Sequence, residues 1–209
     1  MRKTRRFSRS TSVPCCGVFF LISGAPGAGK TSCLKRLRQA LPNISWHDHD
    51  EIGVPPDADL VWRQRTLERW VQEALKRQDR GRSMGLTSNA PFGELLATPS
   101  FPRLSGARGI VIDVADQERV RRLRSRGAAG LACQDTLCWA AWHRMHGIDP
   151  TWEPSVIRRG AWSGMRWDRV EGLTNADARW DVTVLPTTGQ PFAWVAVQLS
   201  AWVGGMPLG

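Results

Sequence analysis

The sequence predicts an α/β fold in which a five-stranded parallel sheet is flanked by helices. Short apolar runs, typical of buried strands, alternate along the chain with segments of helical periodicity. The first run, residues 17–22, precedes a glycine-rich turn and a helix with Leu34, Leu37 and Leu41 on one face. A length of 209 residues with 42% hydrophobic content suits one such domain with a well-developed core.

The glycine-rich turn carries the most specific functional signal in the chain. Two glycines separated by four residues and followed by Lys and a hydroxyl residue form a P-loop pattern: Gly24-Ala25-Pro26-Gly27-Ala28-Gly29-Lys30-Thr31. Glycines let the backbone bend closely round phosphates, and the N–H groups of the turn and of the helix N-terminus donate to them. Lys30 is expected to reach the β- and γ-phosphates, and the Thr31 hydroxyl to lie on Mg²⁺. The turn, extended to Ser32, therefore predicts a P-loop NTPase fold that binds ATP.

The remaining elements follow in order along the chain. Pro42 ends the first helix, and a long helix begins after residues 55–57 with Asp57 as its predicted N-cap. Asp116 is predicted to cap the helix after the fourth strand. The other predicted strands cover residues 44–50, 83–89, 109–114 and 180–185, and the last helix covers residues 191–202.

Two acids end the second predicted strand. Alternation places Asp48 and Asp50 on the same side, in the crevice beside the P-loop, where one could bind water on Mg²⁺ and the other accept a hydroxyl proton. The third strand, where a metal-binding acid is expected, ends in the polar residues 87–89 instead. Metal binding then rests on Thr31 with Asp48 or Asp50, and we assign Asp50; both acids are assigned to catalysis. Glu94, the other candidate, is interpreted as a helix-start acid.

Three arginines follow the fourth strand at helical spacing. Arg119, Arg122 and Arg126 fall at i, i+3 and i+7, with no acid between them. Such a face can clamp triphosphate oxygens and stabilise charge as a phosphoryl group moves. Arg122 and Arg126 are therefore assigned to catalysis, and residues 127–150 are predicted to form a helical lid.

Other polar and aromatic residues are less specific. Arg63 and Arg65 on the long helix are interpreted as solvated charges. An aromatic wall that packs against a substrate is one possible role of the tryptophan-rich residues 151–180. One of the two histidines of the predicted lid, His143 or His146, could touch a substrate. A zinc site is not predicted, because the spacing of four residues fits no standard finger: Cys133, Cys138, His143 and His146.

Charge and cysteine usage bear on partners and compartment. Of the net charge of +10, about +5 lies in residues 1–14, an acid-free tail predicted to be disordered, and residues 15–209 form the predicted domain. The remaining charge suits a phosphate site, so a nucleic-acid surface is less favoured. No stretch approaches the ~20 apolar residues of a membrane span. Five unevenly spread cysteines are typical of reduced intracellular thiols, which predicts a cytoplasmic protein.

The layout of residues 17–203 resembles the small P-loop kinases. Shikimate, gluconate and adenylate kinases, chloramphenicol phosphotransferase and the tunicamycin-resistance ATP-binding protein share this order. The similarity is carried by the P-loop and by three further motifs: Asp48-His49-Asp50, Arg119-x-x-Arg122-Leu123-x-x-Arg126 and Thr187-Thr188-Gly189. The resemblance implies that the acid pair serves substrate or Mg²⁺, that Arg122 and Arg126 are lid arginines, and that the last turn lies near adenine. The missing third-strand acid and the tryptophan-rich segment depart from several members.

These observations predict a kinase that moves the ATP γ-phosphoryl group to a hydroxyl of a small molecule, such as a nucleoside, sugar or antibiotic. Two alternatives remain: a kinase of nucleic-acid 5′ ends, and a non-catalytic module that binds or sequesters ATP or a drug. A larger ATPase assembly is less favoured, because no second motor element fits this length. The sequence leaves monomer and homodimer equally open.

Overall fold

A computed structural model describes residues 17–206 and 208; the predicted basic tail and Cys15 and Cys16 lie outside the described residues. One five-stranded parallel sheet has the strand order β2-β3-β1-β4-β5. The predicted sheet is therefore confirmed. Its strands are β1 (Phe19–Ser23), β2 (Ser45–Asp48), β3 (Met84–Ser88), β4 (Ala107–Asp113) and β5 (Val182–Pro186).

Strand β1 lies in the middle of the sheet, hydrogen-bonded to β3 and β4. Its side chains alternate between two cores: Phe19 and Leu21 face one, and Phe20 and Ile22 face the other. Because helices cover both faces, the strand is apolar throughout instead of alternating with polar residues. This double burial fixes the point at which the P-loop leaves the sheet.

The helices of the described residues cover the two faces of the sheet. One face packs against the first and last helices, and the other packs against the second and third helices and Trp180. A short 3₁₀ helix, His49–Ile52, directly follows β2. The α-helices are α1 (Lys30–Ala40), α2 (Leu60–Gln78), α3 (Phe92–Ala97), α4 (Asp116–Ser125), α5 (Gln134–Ile148), α6 (Ser155–Arg158) and α7 (Phe192–Val203).

Two predicted helix caps are wrong by one or two residues. Helix α2 is capped by Asp59, whose carboxylate accepts from the Trp62 N–H at 2.8 Å, and not by Asp57. Helix α4 has Ala115 at its N-cap, and Asp116 lies inside the first turn. There the carboxylate still lies near the positive end of the helix dipole, so an acid is favoured at either position.

Helix α5 corrects the predicted extent of the lid. It packs against β4 and β5, and Gly147 comes so close to β4 that a Cβ atom there would lie 2.9 Å from a methyl group of Val111. The indole N–H of Trp180 donates to the Gly147 carbonyl at 3.2 Å. Much of the range 127–150 is therefore packed against the sheet, and a lid stays a prediction for the connection before α5 alone.

The described helices give no sign of a membrane span. Within residues 17–206 and 208, no helix combines the length and the apolar character needed to cross a bilayer.

Candidate active site

The P-loop connects β1 to α1 at the carboxyl edge of the sheet. Gly29 is the N-cap of α1 and has a φ of 100°, a left-handed conformation that favours glycine. A Cβ atom on Gly24 would lie 2.5 Å from the Ile112 carbonyl oxygen of β4, so this glycine is required by close backbone approach. The first turn of α1 carries no acidic residue. The loop therefore presents a helix N-terminus to an anion, and the first turn of that helix contributes no carboxylate of its own.

Lys30 folds back over the loop that precedes it. Its Nζ donates to the carbonyl oxygens of Gly24 at 2.5 Å and Ala25 at 3.3 Å, and to Oδ1 of Asn89 at 2.7 Å. Burial lowers the pKa of Lys30 to about 7, against the opposing attraction of Asp48. The amine is thus held by neutral oxygens, which a phosphate oxygen would replace with a stronger charge-assisted bond.

Asp48 holds the loop, β2 and β3 together at one carboxylate. Its Oδ2 accepts from the hydroxyls of Thr31 and Thr87, each at 2.9 Å, and its Oδ1 accepts from the Asp50 N–H at 3.2 Å. The structure therefore brings Thr31 to Asp48, whereas the sequence prediction paired it with Asp50. A hydroxyl and a carboxylate oxygen are hard ligands that fit Mg²⁺. If a metal binds here with nucleotide phosphates, Thr31 and Asp48 are the residues to hold it.

Asp50 lies at the rim of a cavity of about 220 Å³ in front of the P-loop. Partial burial and, to a smaller extent, repulsion from Asp48 raise the pKa of Asp50 above its usual range. A carboxylate with a raised pKa is a better proton acceptor than an ordinary surface acid. Beyond the P-loop, the cavity is lined by Asp48, His49, Asp50, Ser88, Asn89, Arg126 and Leu131.

The end of β3 supplies contacts that the sequence analysis did not predict. Thr87 lies opposite Asp48 in the β2–β3 register and donates to it, while Asn89 accepts from Lys30. The Ser88 hydroxyl lies 2.5 Å from Nδ1 of buried His49. The polar residues 87–89, which stand where a metal-binding acid was expected, were the signal in the sequence from which these contacts could have been predicted. These residues orient the acid of the neighbouring strand and the P-loop lysine.

The three predicted arginines take different positions. Arg119 is only 1% exposed and donates to the Pro26 carbonyl at 2.8 Å, and one of its nitrogens lies 3.3 Å from an Asp113 carboxylate oxygen. It braces the P-loop from behind, so the predicted face of three phosphate-facing guanidiniums is wrong at this position. Its neighbour on the helix, Leu123, is fully buried, which shows that this side of α4 faces the core.

The other two arginines lie at the loop. Arg122 donates to Glu118 at 2.8 Å and to the Ala28 carbonyl at 3.3 Å, and its guanidinium lies 5.2 Å from the ring centre of Phe192. Arg126 lines the cavity beside Lys30. Arg126 therefore faces the space for a phosphate directly, whereas Arg122 reaches the loop backbone and is partly engaged by Glu118.

A buried ion pair joins α2 and α3. Glu94 is in the first turn of α3, as predicted, but its side chain is fully buried and accepts two hydrogen bonds from Arg63, at 2.6 and 3.0 Å. Gln64 also donates to Glu94, at 3.2 Å, and the Arg63 guanidinium lies 4.8 Å from the ring centre of Trp139. The interpretation of Arg63 as a solvated charge is therefore wrong, while Arg65 is exposed.

The cysteines and histidines of the predicted lid are not gathered into a metal site. His143 is 1% exposed, and its Nε2 lies 3.1 Å from the Ser23 hydroxyl, whereas Cys133 and Cys138 are exposed. Nowhere in the described part of the chain do three His, Cys, Asp or Glu side chains come together as a metal-binding group. Burial lowers the pKa of both His143 and His146, to about 4 for His146, so both rings are neutral at pH 7.

Comparisons with known proteins place this fold. No family model matches the sequence, and no curated protein matches it in sequence. A sugar kinase from Janibacter sp. is similar in structure over 90% of this chain and 94% of its own, with 14% identity and a TM-score of 0.54. A thymidylate kinase from Candida albicans is similar over 91% of this chain and 92% of its own, with 10% identity and a TM-score of 0.59. The chain therefore has the α/β fold of small P-loop kinases, as predicted.

Proposed function

We propose that the protein is a phosphotransferase that moves the γ-phosphoryl group of ATP to a hydroxyl of a small molecule. The observation that carries this proposal is the meeting of Lys30, the Thr31–Asp48 pair and Asp50 around one cavity. Phosphate ligands, metal ligands and a proton acceptor are what phosphoryl transfer needs from a protein. The sugar and thymidylate kinases with the same fold support the proposal.

The protein's part in the reaction is to position groups and stabilise charge. The P-loop N–H groups and Lys30 hold the β- and γ-phosphates, and Thr31 and Asp48 would hold Mg²⁺. Bound Mg²⁺ would neutralise negative charge on the phosphate oxygens. Arg126, with Arg122 behind it, stabilises the charge of the phosphoryl group during transfer.

Asp50 is the proposed proton acceptor. The acceptor oxygen forms a bond to the γ-phosphorus, the bond from that phosphorus to the β,γ-bridging oxygen breaks, and ADP leaves. The hydroxyl proton passes to the Asp50 carboxylate, whose pKa is raised by partial burial and by Asp48. Asp48 is less suited to this role, because both of its oxygens already accept hydrogen bonds from the protein.

The charges beside the cavity support an acceptor without a negative charge. Arg63 lies close enough to His49, a residue of the cavity wall, to influence its charge, but Arg63 is held by the buried carboxylate of Glu94. His49 is neutral at pH 7, because burial lowers its pKa to about 4. Asp50 would repel a carboxylate or phosphate on the acceptor. We therefore propose a nucleoside, sugar or antibiotic-like acceptor, used in the cytoplasm where ATP is available.

The first test is ADP release from ATP and Mg²⁺ across pairs of acceptors that differ in charge. Nucleosides are compared with nucleoside monophosphates, sugars with sugar acids, and neutral antibiotics and 5′-hydroxyl oligonucleotides are included. We expect release to be stimulated by a small neutral acceptor and not by its anionic partner. Stimulation by oligonucleotides alone would establish the end-kinase alternative, and ATP binding without stimulation by any compound would favour the non-catalytic alternative.

A second prediction concerns pH. Burial lowers the pKa of free Lys30 to about 7, whereas a bound phosphate favours the protonated amine and raises that pKa. Nucleotide affinity is therefore highest below pH 7 and is expected to fall by up to about tenfold per pH unit above it. Calorimetric titration with ADP and Mg²⁺ between pH 7.5 and 9 measures this, because the terminal phosphate, with a pKa of about 6, is already ionised.

Lys30→Arg is the matched control for this pH dependence. Arginine remains protonated across the whole range, so the affinity of the variant should change little with pH. A wild-type affinity that is also flat from pH 7.5 to 9 would show that the free amine is already fully protonated, contrary to the prediction.

A further inference from the structure

A second cavity, of about 340 Å³, lies at the opposite edge of the sheet from the P-loop. It is beneath the amino ends of β2 and β3, between the last turns of α1 and α2. Its volume is at the lower end of the range of about 300–1,000 Å³ that is usual for small-molecule sites. The wall is formed by residues 42–46 together with Arg38, Arg77 and Arg82. It contains three guanidiniums and no carboxylate, whereas the proposed active site contains two carboxylates.

The three arginines differ in how many hydrogen-bond and ion-pair partners the protein gives their guanidiniums. Arg38 donates twice to the Trp46 carbonyl oxygen, at 2.9 and 3.1 Å, and once to Glu51, so its charge is compensated. Arg77 pairs with Glu73 through one terminal nitrogen at 3.2 Å, but its Nε is buried and has no acceptor. Arg82 is exposed, and none of the described carboxylates forms an ion pair with it. Donor capacity at Arg77 and Arg82 is therefore left unused.

We propose that this cavity binds a small oxyanion, as the phosphate or carboxylate group of a metabolite, at a site separate from the nucleotide. The guanidiniums of Arg82 and Arg77 match the oxygens of such a group, since arginine forms directed charge-assisted bonds with phosphate and carboxylate. An anionic group would pair with these guanidiniums, whereas a cation would meet only like charge.

The test is calorimetric titration of the full chain with inorganic phosphate and, separately, with citrate, at constant ionic strength and constant free Mg²⁺, with ADP and Mg²⁺ saturating the P-loop. We expect saturable binding in the wild type. Arg82→Met and Arg77→Met should each weaken it by about tenfold or more. Tighter binding of phosphate than of citrate identifies a phosphoryl ligand, and the reverse order identifies a carboxylate ligand; either order supports the site.

Lys76→Met is the matched control, because Lys76 is next to Arg77 but does not line the cavity. It should bind as the wild type does. Because Arg82 is exposed, Arg82→Met tests the site even if Arg77→Met does not fold. If phosphate were binding at a P-loop that ADP had left partly empty, Arg82→Met would not change the phosphate affinity. No saturable binding of either anion, or equal binding by the wild type and Arg82→Met, overturns the proposal.

Discussion

Lys30→Ala is expected to lower phosphoryl transfer by about 10³-fold while leaving the protein folded. The variant removes the cation that the proposed mechanism places on the β- and γ-phosphates, and losing one such preorganised donor typically costs 10²- to 10³-fold. Folding should be unaffected, because burial already lowers the pKa of Lys30 and its present partners are neutral oxygens. Turnover of ATP with the acceptor, and thermal unfolding, measure the two effects.

Lys35→Ala is the control for this variant. Lys35 lies on the same helix but is exposed, so its loss should change neither turnover nor stability appreciably. Equal turnover in Lys30→Ala and the wild type would remove the P-loop from the mechanism. A Lys30→Ala protein that is unfolded would instead show that the lysine contacts stabilise the loop, contrary to the expectation.

Asp50→Asn is expected to lower kcat by about 10²-fold or more with little change in the KM for ATP. Removal of a general base typically costs 10²- to 10⁴-fold, and this side chain lies outside the Thr31–Asp48 pair. In the wild type, activity should fall as the pH decreases through the raised pKa of Asp50, because only the ionised carboxylate accepts a proton. The pH–rate profile of Asp50→Asn should lack this acidic limb.

Asp48→Asn distinguishes the proposed role of Asp48 from that of Asp50. Because Asp48 is the carboxylate next to Thr31, its amide variant should need a higher Mg²⁺ concentration for half-maximal turnover, which Asp50→Asn should not. Asp57→Asn, an exposed acid nearby, controls for loss of charge. An unchanged Mg²⁺ requirement in Asp48→Asn, or a raised one in Asp50→Asn, would reverse the assignment, and full activity in both would refute it.

The Arg63–Glu94 pair shows why the roles of helix charges were harder to predict than the P-loop. The two residues are 31 positions apart, on α2 and α3, and each pattern alone is typical of a solvated helix charge. Only packing of the two helices buries Glu94 and brings the guanidinium to it. In the proposed reaction, this pairing compensates the charge of Arg63, so that it is less available to a carboxylate acceptor.

The P-loop could be predicted from sequence because its structure is local. Gly24, Gly29 and Lys30 lie within seven consecutive residues, and their conformations follow from glycine's freedom and from the start of a helix. The parallel sheet was also predictable, since strands buried on both faces are apolar throughout. The extent of the lid was not, because α5 has apolar residues around much of its surface and only its contact with β4 and β5 shows that it is packed.

The sequence by itself therefore determined the fold, the phosphate loop and the presence of an acid pair beside it. Tertiary structure decided which acid meets Thr31, because that depends on how β2 pairs with β3: the register places Asp48 opposite Thr87, and Asp50 lies beyond the strand in the 3₁₀ turn. It also decided that Arg119 supports the loop from inside while Arg126 faces the cavity. Spacing along a helix gives the relative directions of side chains, but which direction faces the core depends on the packing of the whole domain.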